Sequence, residues 1–269
     1  MRLFIAGLRK LVRRPATYVL FVFLLAIMTL LFLALGATAK QTLARPGGAA
    51  ALRVLTFPDA YGFVLSFILG LGGLLAVMYG AATAGSEWTW GTIKAAVARG
   101  ESRTGYILST FASLALLVGV GLLFAFTAGV ILAVIGAGLA SISTSGMSDS
   151  TALGNLPEQL LRSWIGVAEE AALGFAIATI AKSQLAGVVS GIALYFGESF
   201  ATIFFPDVVK YLPFSVASAA VGASTGTTPG GGAGAPTLDP NAALIAVIAW
   251  MIGALVVASL FTERAEIGG

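Results

Sequence analysis

Neither cysteine nor histidine occurs in the 269 residues of this chain. Their absence excludes disulfides, thiol chemistry, haem or iron–sulfur ligation through Cys, and every metal or acid–base site built on imidazole. Charge is scarce as well. Charged residues make up 10% of the chain and hydrophobic residues 58%, with a mean hydropathy of +0.97. A soluble domain of this length needs more charge to cover its surface, so the composition defines an all-α polytopic membrane protein. The 15 Lys and Arg exceed the 12 Asp and Glu by three. Membrane topology accounts for that excess, and it gives no case for nucleic-acid binding. With no nucleophile–base pair, metal cluster or phosphate loop in view, the chain is expected to be neither an enzyme nor a cofactor carrier.

A hydrocarbon core about 30 Å thick needs roughly 20 mostly apolar residues per helical span. Six segments qualify, near 16–38, 60–84, 105–137, 160–181, 184–205 and 241–261. They fill a single transmembrane domain over 1–269 and leave no room for a folded soluble domain. The third is long enough to tilt or to extend past the lipid. Lys and Arg set the orientation. With both termini in the cytosol, Arg2, Arg9, Lys10, Arg13, Arg14, Lys94, Arg99, Arg103, Lys182 and Arg264 lie inside, against Lys40, Arg45, Arg53, Arg162 and Lys210 outside. That satisfies the positive-inside rule, and the reverse topology breaks it. The expected location is the cell (plasma or inner) membrane. Ala37-Thr38-Ala39 resembles a signal-peptide cleavage site, but the apolar stretch before it is too long for an h-region of about 7–15 residues.

Residues 2–14 read as an amphipathic helix. Phe4, Ile5, Leu8, Leu11 and Val12 share one arc, with Arg2, Arg9, Lys10, Arg13 and Arg14 opposite. Such a helix lies in the headgroup layer with its cations toward anionic lipid, or serves only as a positive-inside anchor. Pro15 then ends it and turns the chain into the membrane. In span two, Ser66, Gly70, Gly73, Gly80, Ala81 and Ala84 fall near one stripe, a surface for close helix packing. In span five, Gly187, Gly191 and Glu198 share a face. The connection 206–240 divides in two. Pro206 to Val221 is apolar enough to stay in or on the membrane, and the Gly/Ser/Thr/Pro stretch 222–236 reads as an external loop. Its glycine run Gly230–Gly234 lacks the Gly-Lys-Ser/Thr of a phosphate loop.

Two polar features interrupt this apolar chain. One is the island between spans two and three, residues 87–103. Trp90, Ile93 and Val97 recur there at helical spacing, with Lys94 on another face. Gly100 is a helix stop and Ser102 a cap for span three. A loop between two spans can be far shorter, so a compact amphipathic helix here is expected to be a docking surface for a cytosolic partner. The other feature is a set of carboxylates inside spans: Glu169 and Glu170 in span four and Glu198 in span five. Ionised groups are expensive at that depth, and they mark either a substrate path or proton relay, or neutral acids bonded to neighbouring helices. Glu170 shares its face with Gly166, Gly174 and Ala178, toward packed helices or a polar cavity. Glu169 lies beside Ile165, Leu173 and Ala176, and would meet lipid unless another helix covers it.

The order of these parts resembles a permease of the ABC type-2 family, the type V exporter fold, over nearly the whole chain. Glu87-x3-Gly91-Thr92-Ile93 followed by Ser102-Arg103 is similar to that family's pattern before span three. Lys182-Ser183, Glu198 and Tyr211-Leu212-Pro213 are weaker matches. The resemblance implies a homodimer, or a pair with a related permease, working with separate ATP-binding subunits that carry the ATP and Mg. It also implies that 87–103 is the coupling helix, with Glu87, Trp90, Gly91, Thr92, Ile93, Lys94, Val97, Arg99 and Arg103 meeting the ATPase. The chain departs from the family pattern in its Gly-rich loop and in the tandem acids Glu169-Glu170, which leaves the substrate open. Two other classes compete with an exporter of a hydrophobic or amphipathic substrate such as a drug, peptide or lipid. A proton-coupled secondary transporter would use the intramembrane acids, although no internal repeat is visible. A non-transporting scaffold would relay ATPase motion to an external partner.

Overall fold

A computed structural model describes residues 2–222 and 237–265. Most of the expected Gly-rich loop, 223–236, lies outside the described residues. The chain is an all-α polytopic membrane protein: 86% of the described residues are helical, with no strand among them. In chain order the helices are α1 (Arg2–Val12), α2 (Pro15–Ala37), the short α3 (Ala39–Leu43) and α4 (Gly48–Leu52), α5 (Asp59–Phe67), α6 (Gly73–Thr89), α7 (Thr92–Ala98), α8 (Arg103–Leu139), α9 (Ser150–Ala181), α10 (Gln184–Phe204), α11 (Pro206–Val209), α12 (Pro213–Ala220) and α13 (Pro240–Arg264). One wide π turn, Ile68–Gly72, joins α5 to α6. Among the described residues, six helices are long and apolar enough to cross a membrane, the second running from Asp59 to Thr89 through that turn.

Each boundary has a local cause. Pro15 stands at the first position of α2, where its missing N–H costs nothing. The hydroxyl of Ser102 caps α8, the Asp149 carboxylate caps α9, that of Asp239 caps α13, and Ser183 caps α10. The helix that carries span four begins at Ser150, ten residues before the apolar stretch 160–181, because the Asp149 cap starts it through a polar stretch that hydropathy alone passes over. Span two likewise continues to Thr89, five residues beyond the expected end, and carries Glu87 and Trp88 with it.

Spans two and four form the interior. The most apolar windows of these helices are 61% and 67% buried, against 22% or less for the other four spans. Small residues let them touch. A β-carbon on Gly80 would sit 2.0 Å from the Ala171 carbonyl oxygen, and one on Gly174 would sit 2.0 Å from that of Val77. In lipid, such backbone contact supplies the packing that water would otherwise drive. Span five joins this pair through Gly187 and Gly191, as its sequence predicts. Span one lies along span three, and span six along span four. Outward, Leu30, Phe124, Ile203 and Ile245 are exposed, as lipid-facing side chains should be.

The apolar segment after span five folds back against spans four and six. Val216, Ala217 and Ala220 of α12 are buried there. Arg162 fixes its far end, donating to the carbonyls of Ala220 and Pro240 at 3.1 Å each and to Asn241 Oδ1 at 2.7 Å. Trp250 Nε1 donates to the Tyr211 carbonyl at 3.0 Å.

Candidate functional site

The first polar cluster is built on Glu87, in the last turn of α6 and only 1% exposed. Lys10 Nζ reaches both carboxylate oxygens, at 2.6 and 2.7 Å, and Arg14 Nη2 reaches one at 3.2 Å. Tyr106 Oη donates to Oε2 at 2.6 Å, and the Thr92 hydroxyl also bonds that oxygen. One carboxylate therefore ties together α1, span two, α7 and the start of span three. A buried carboxylate held by two cations and two hydroxyls is well compensated, and removing it would strand the cations. Around it, Lys10 and Arg14 stand 5.6 and 5.1 Å from the Trp90 ring, and Lys182 stands 5.3 Å from that of Trp88. Arg103 donates to the carbonyls of Thr262, Glu263 and Ala265, closing this end of the bundle with span six.

These contacts correct the expected layout of residues 87–103. The segment is not one helix. Gly91 takes a left-handed φ of +65°, which ends α6 and lets α7 start afresh at Thr92. Trp90 thus belongs to the end of span two and does not share a face with Ile93 and Val97. Ile93 is 1% exposed and packs into the chain's own core, and Val97 is half-buried. An outer groove cannot be filled by Ile93. Glu87 and Arg103 are spent on internal contacts and do not ring an interface. Outward from this end stand Trp90, 62% exposed, with Lys94 and Arg99. Nor do all the α1 cations face lipid, since Lys10 and Arg14 turn onto Glu87.

The second cluster lies deep in the bundle. Glu169, Glu170 and Glu198 are 0%, 1% and 5% exposed. Glu198 accepts from the backbone N–H of Ser215 at 2.6 Å and of Phe214 at 3.3 Å, so it caps the start of α12. Among the described residues, neither oxygen of Glu169 has a hydrogen-bond partner, and Glu170 Oε2 has none. Glu169 does not meet lipid, because spans two, five and six and α12 all pack around span four. A small cavity opens between Glu170, Glu198 and Tyr195, bordered by Ser199, Ser215 and Ser218. A separate, almost wholly apolar hollow of about 260 Å³ lies between spans one, two and three, with the Thr17–Tyr79 hydroxyl pair, 2.6 Å apart, on its wall.

Sequence reasoning found the acids and missed their partners. Lys10 and Arg14 read there only as cations of the first amphipathic helix, and nothing local points to Tyr106 or Tyr195. The available signal was charge balance: an acid at the end of an apolar span needs a cation, and α1 is the nearest rich source.

Fold and clusters together define a multi-pass membrane protein with a polar hub at one end and an acidic pocket in its interior. The chain belongs to the family described as protein of unknown function DUF2705, whose model matches residues 49–262. None of the curated proteins matches it.

Proposed function

We propose that this chain is the membrane-spanning permease subunit of an ATP-driven exporter of the ABC type-2 kind. It pairs with a second copy or a related permease and with separate ATP-binding subunits. Its substrate is hydrophobic or amphipathic, and both termini lie in the cytosol of a cell-membrane protein. The observation that carries this reading is the Glu87 hub. A push on α7 or Trp90 reaches Glu87 through Thr92, and from there spans two and three and α1 through Tyr106, Lys10 and Arg14. An element gripped from the cytosol needs such rigid connections to move membrane helices. ATP hydrolysis belongs to the partner, since the chain has no phosphate loop.

The test is biochemical. The purified chain should hydrolyse no ATP and should co-purify with an ATP-binding subunit encoded beside it. Cysteines placed at Lys94 and on that subunit should cross-link, in a background that has no native cysteine. Robust ATPase activity from the chain alone would end the idea. Cross-links forming only through α1 would mean that α1, not α7, is the coupling element. The buried acids favour one rival, a proton-coupled transporter. It predicts flux driven by a pH gradient in liposomes holding this chain and no ATPase. A scaffold that moves nothing would give no flux under either condition.

A further inference from the structure

The interior of this bundle is acidic without being balanced. Glu169, Glu170 and Glu198 are buried, while spans two (from Ile68 to Gly85), three (from Thr104), four (from Ser163), five and six (to Phe261) and helix α12 carry no Lys or Arg. Three carboxylates in such a setting must be neutralised by something the chain itself does not provide.

Three features converge on one place. The Glu170 carboxyl is held in a notch at Gly73, and its Oε2 is buried without a hydrogen-bond partner among the described residues. It borders a cavity of about 20 Å³, room for one water-sized species, that Glu198 and the Tyr195 ring also border. The wall from span two, Leu69 and Gly70, belongs to the wide turn Ile68–Gly72. Such turns interrupt the regular carbonyl ladder and recur at functional sites. The polar side chains at this cavity all offer oxygen: two carboxyls, a phenol and the hydroxyls of Ser199, Ser215 and Ser218. Hard oxygen donors and a net negative charge suit a small hard cation.

We propose that the cavity between Glu170 and Glu198 binds a single water-sized monocation, either Na⁺ or a proton carried on water. Its charge balances the Glu198 carboxylate that holds the start of α12, and so couples occupancy to the docking of α12 on spans four and five. The titratable side chains that border the cavity are Glu170, Glu198 and Tyr195, and the neighbouring Glu169 is buried in the same helix without lining it. The site is a property of this chain alone and stands or falls independently of the exporter reading.

The experiment uses the purified full chain in detergent, without any ATPase, and follows its melting temperature. NaCl is exchanged for choline chloride at equal ionic strength, and the series is repeated from mildly acidic to mildly alkaline buffer. If Na⁺ is the occupant, saturating NaCl raises the melting temperature by about 2–4 °C over choline, and Glu170→Gln removes that rise. If the occupant is a proton, Na⁺ and choline are equivalent, melting shifts with pH, and Glu170→Gln flattens the shift. A melting temperature indifferent to both overturns the proposal, as does any response that survives in Glu170→Gln. Should Glu170→Gln fail to fold, Tyr195→Phe decides. It weakens the response several-fold if the cavity is the site and leaves it unchanged if it is not.

Discussion

Glu170 and Gly73 share one space: a β-carbon on Gly73 would lie 2.0 Å from Glu170 Oε2 and 2.6 Å from its carboxyl carbon. The glycine in span two is there to seat the acid of span four. Gly73→Ala should therefore cost about 1–3 kcal/mol, the usual penalty of overpacking. In a Glu170→Ala background the same change should cost much less, because the obstructing carboxyl is gone. A double-mutant cycle by thermal unfolding reads the difference directly. Equal costs in both backgrounds would show that the notch is not specific to the acid.

The Glu87 hub makes an asymmetric prediction. Glu87→Ala leaves two cations and two hydroxyls facing an empty site and should destabilise the chain by about 3–5 kcal/mol. Lys10→Ala should cost far less, since Arg14, Tyr106 and Thr92 still hold the carboxylate and Lys10 is partly solvated. Unfolding of the purified chain ranks the two, and equal losses would argue against Glu87 as the centre of the hub.

The outward and inward side chains at this end of the bundle should separate under mutation. Trp90→Ala should weaken binding of an ATP-binding partner by about 2 kcal/mol or more, and Lys94→Ala by much less, as central aromatic anchors outweigh rim charges. Ile93→Ala should do neither. Its side chain is in the core, so the change should lower the chain's own stability by about 2–5 kcal/mol and leave the partner's affinity alone. Affinity measured beside melting temperature distinguishes these outcomes.

Arg162 holds Glu158, two carbonyls and Asn241 with one planar fork. Lysine keeps the charge but not that geometry. Arg162→Lys should therefore loosen α12, with faster amide exchange across 213–220 and little change in span two. Unchanged exchange there would mean that packing against spans four and six is enough to hold the segment.

The elements that announce themselves locally were legible. Six apolar runs, Pro15, Gly100, Ser102 and the Gly187–Gly191–Glu198 face all follow from spacing or from a single residue's chemistry, and the helices bear them out. What depended on distant partners was not legible. Glu87 pairs with a lysine 77 positions away, and no local period encodes that. Ile93 has the spacing of an interface residue, and only the arrival of neighbouring helices turns it inward. The wide turn at Ile68–Gly72 sits in a glycine-rich stretch that reads equally well as regular helix. Glu169 shows the same limit from the other side: its flank looked open to lipid until the surrounding helices closed over it.

Arg103 has one further consequence, for the order in which the chain is made. It opens the third span, yet the carbonyls it binds belong to residues 262, 263 and 265. During synthesis those acceptors emerge some 160 residues later, after every other span has entered the bilayer. Until then this end of the bundle has no clasp, and the guanidinium must stay hydrated or rest among lipid headgroups. Final closure is therefore an event of the last helix, so a ribosome stalled anywhere before it leaves a nascent protein that is inserted but not yet locked.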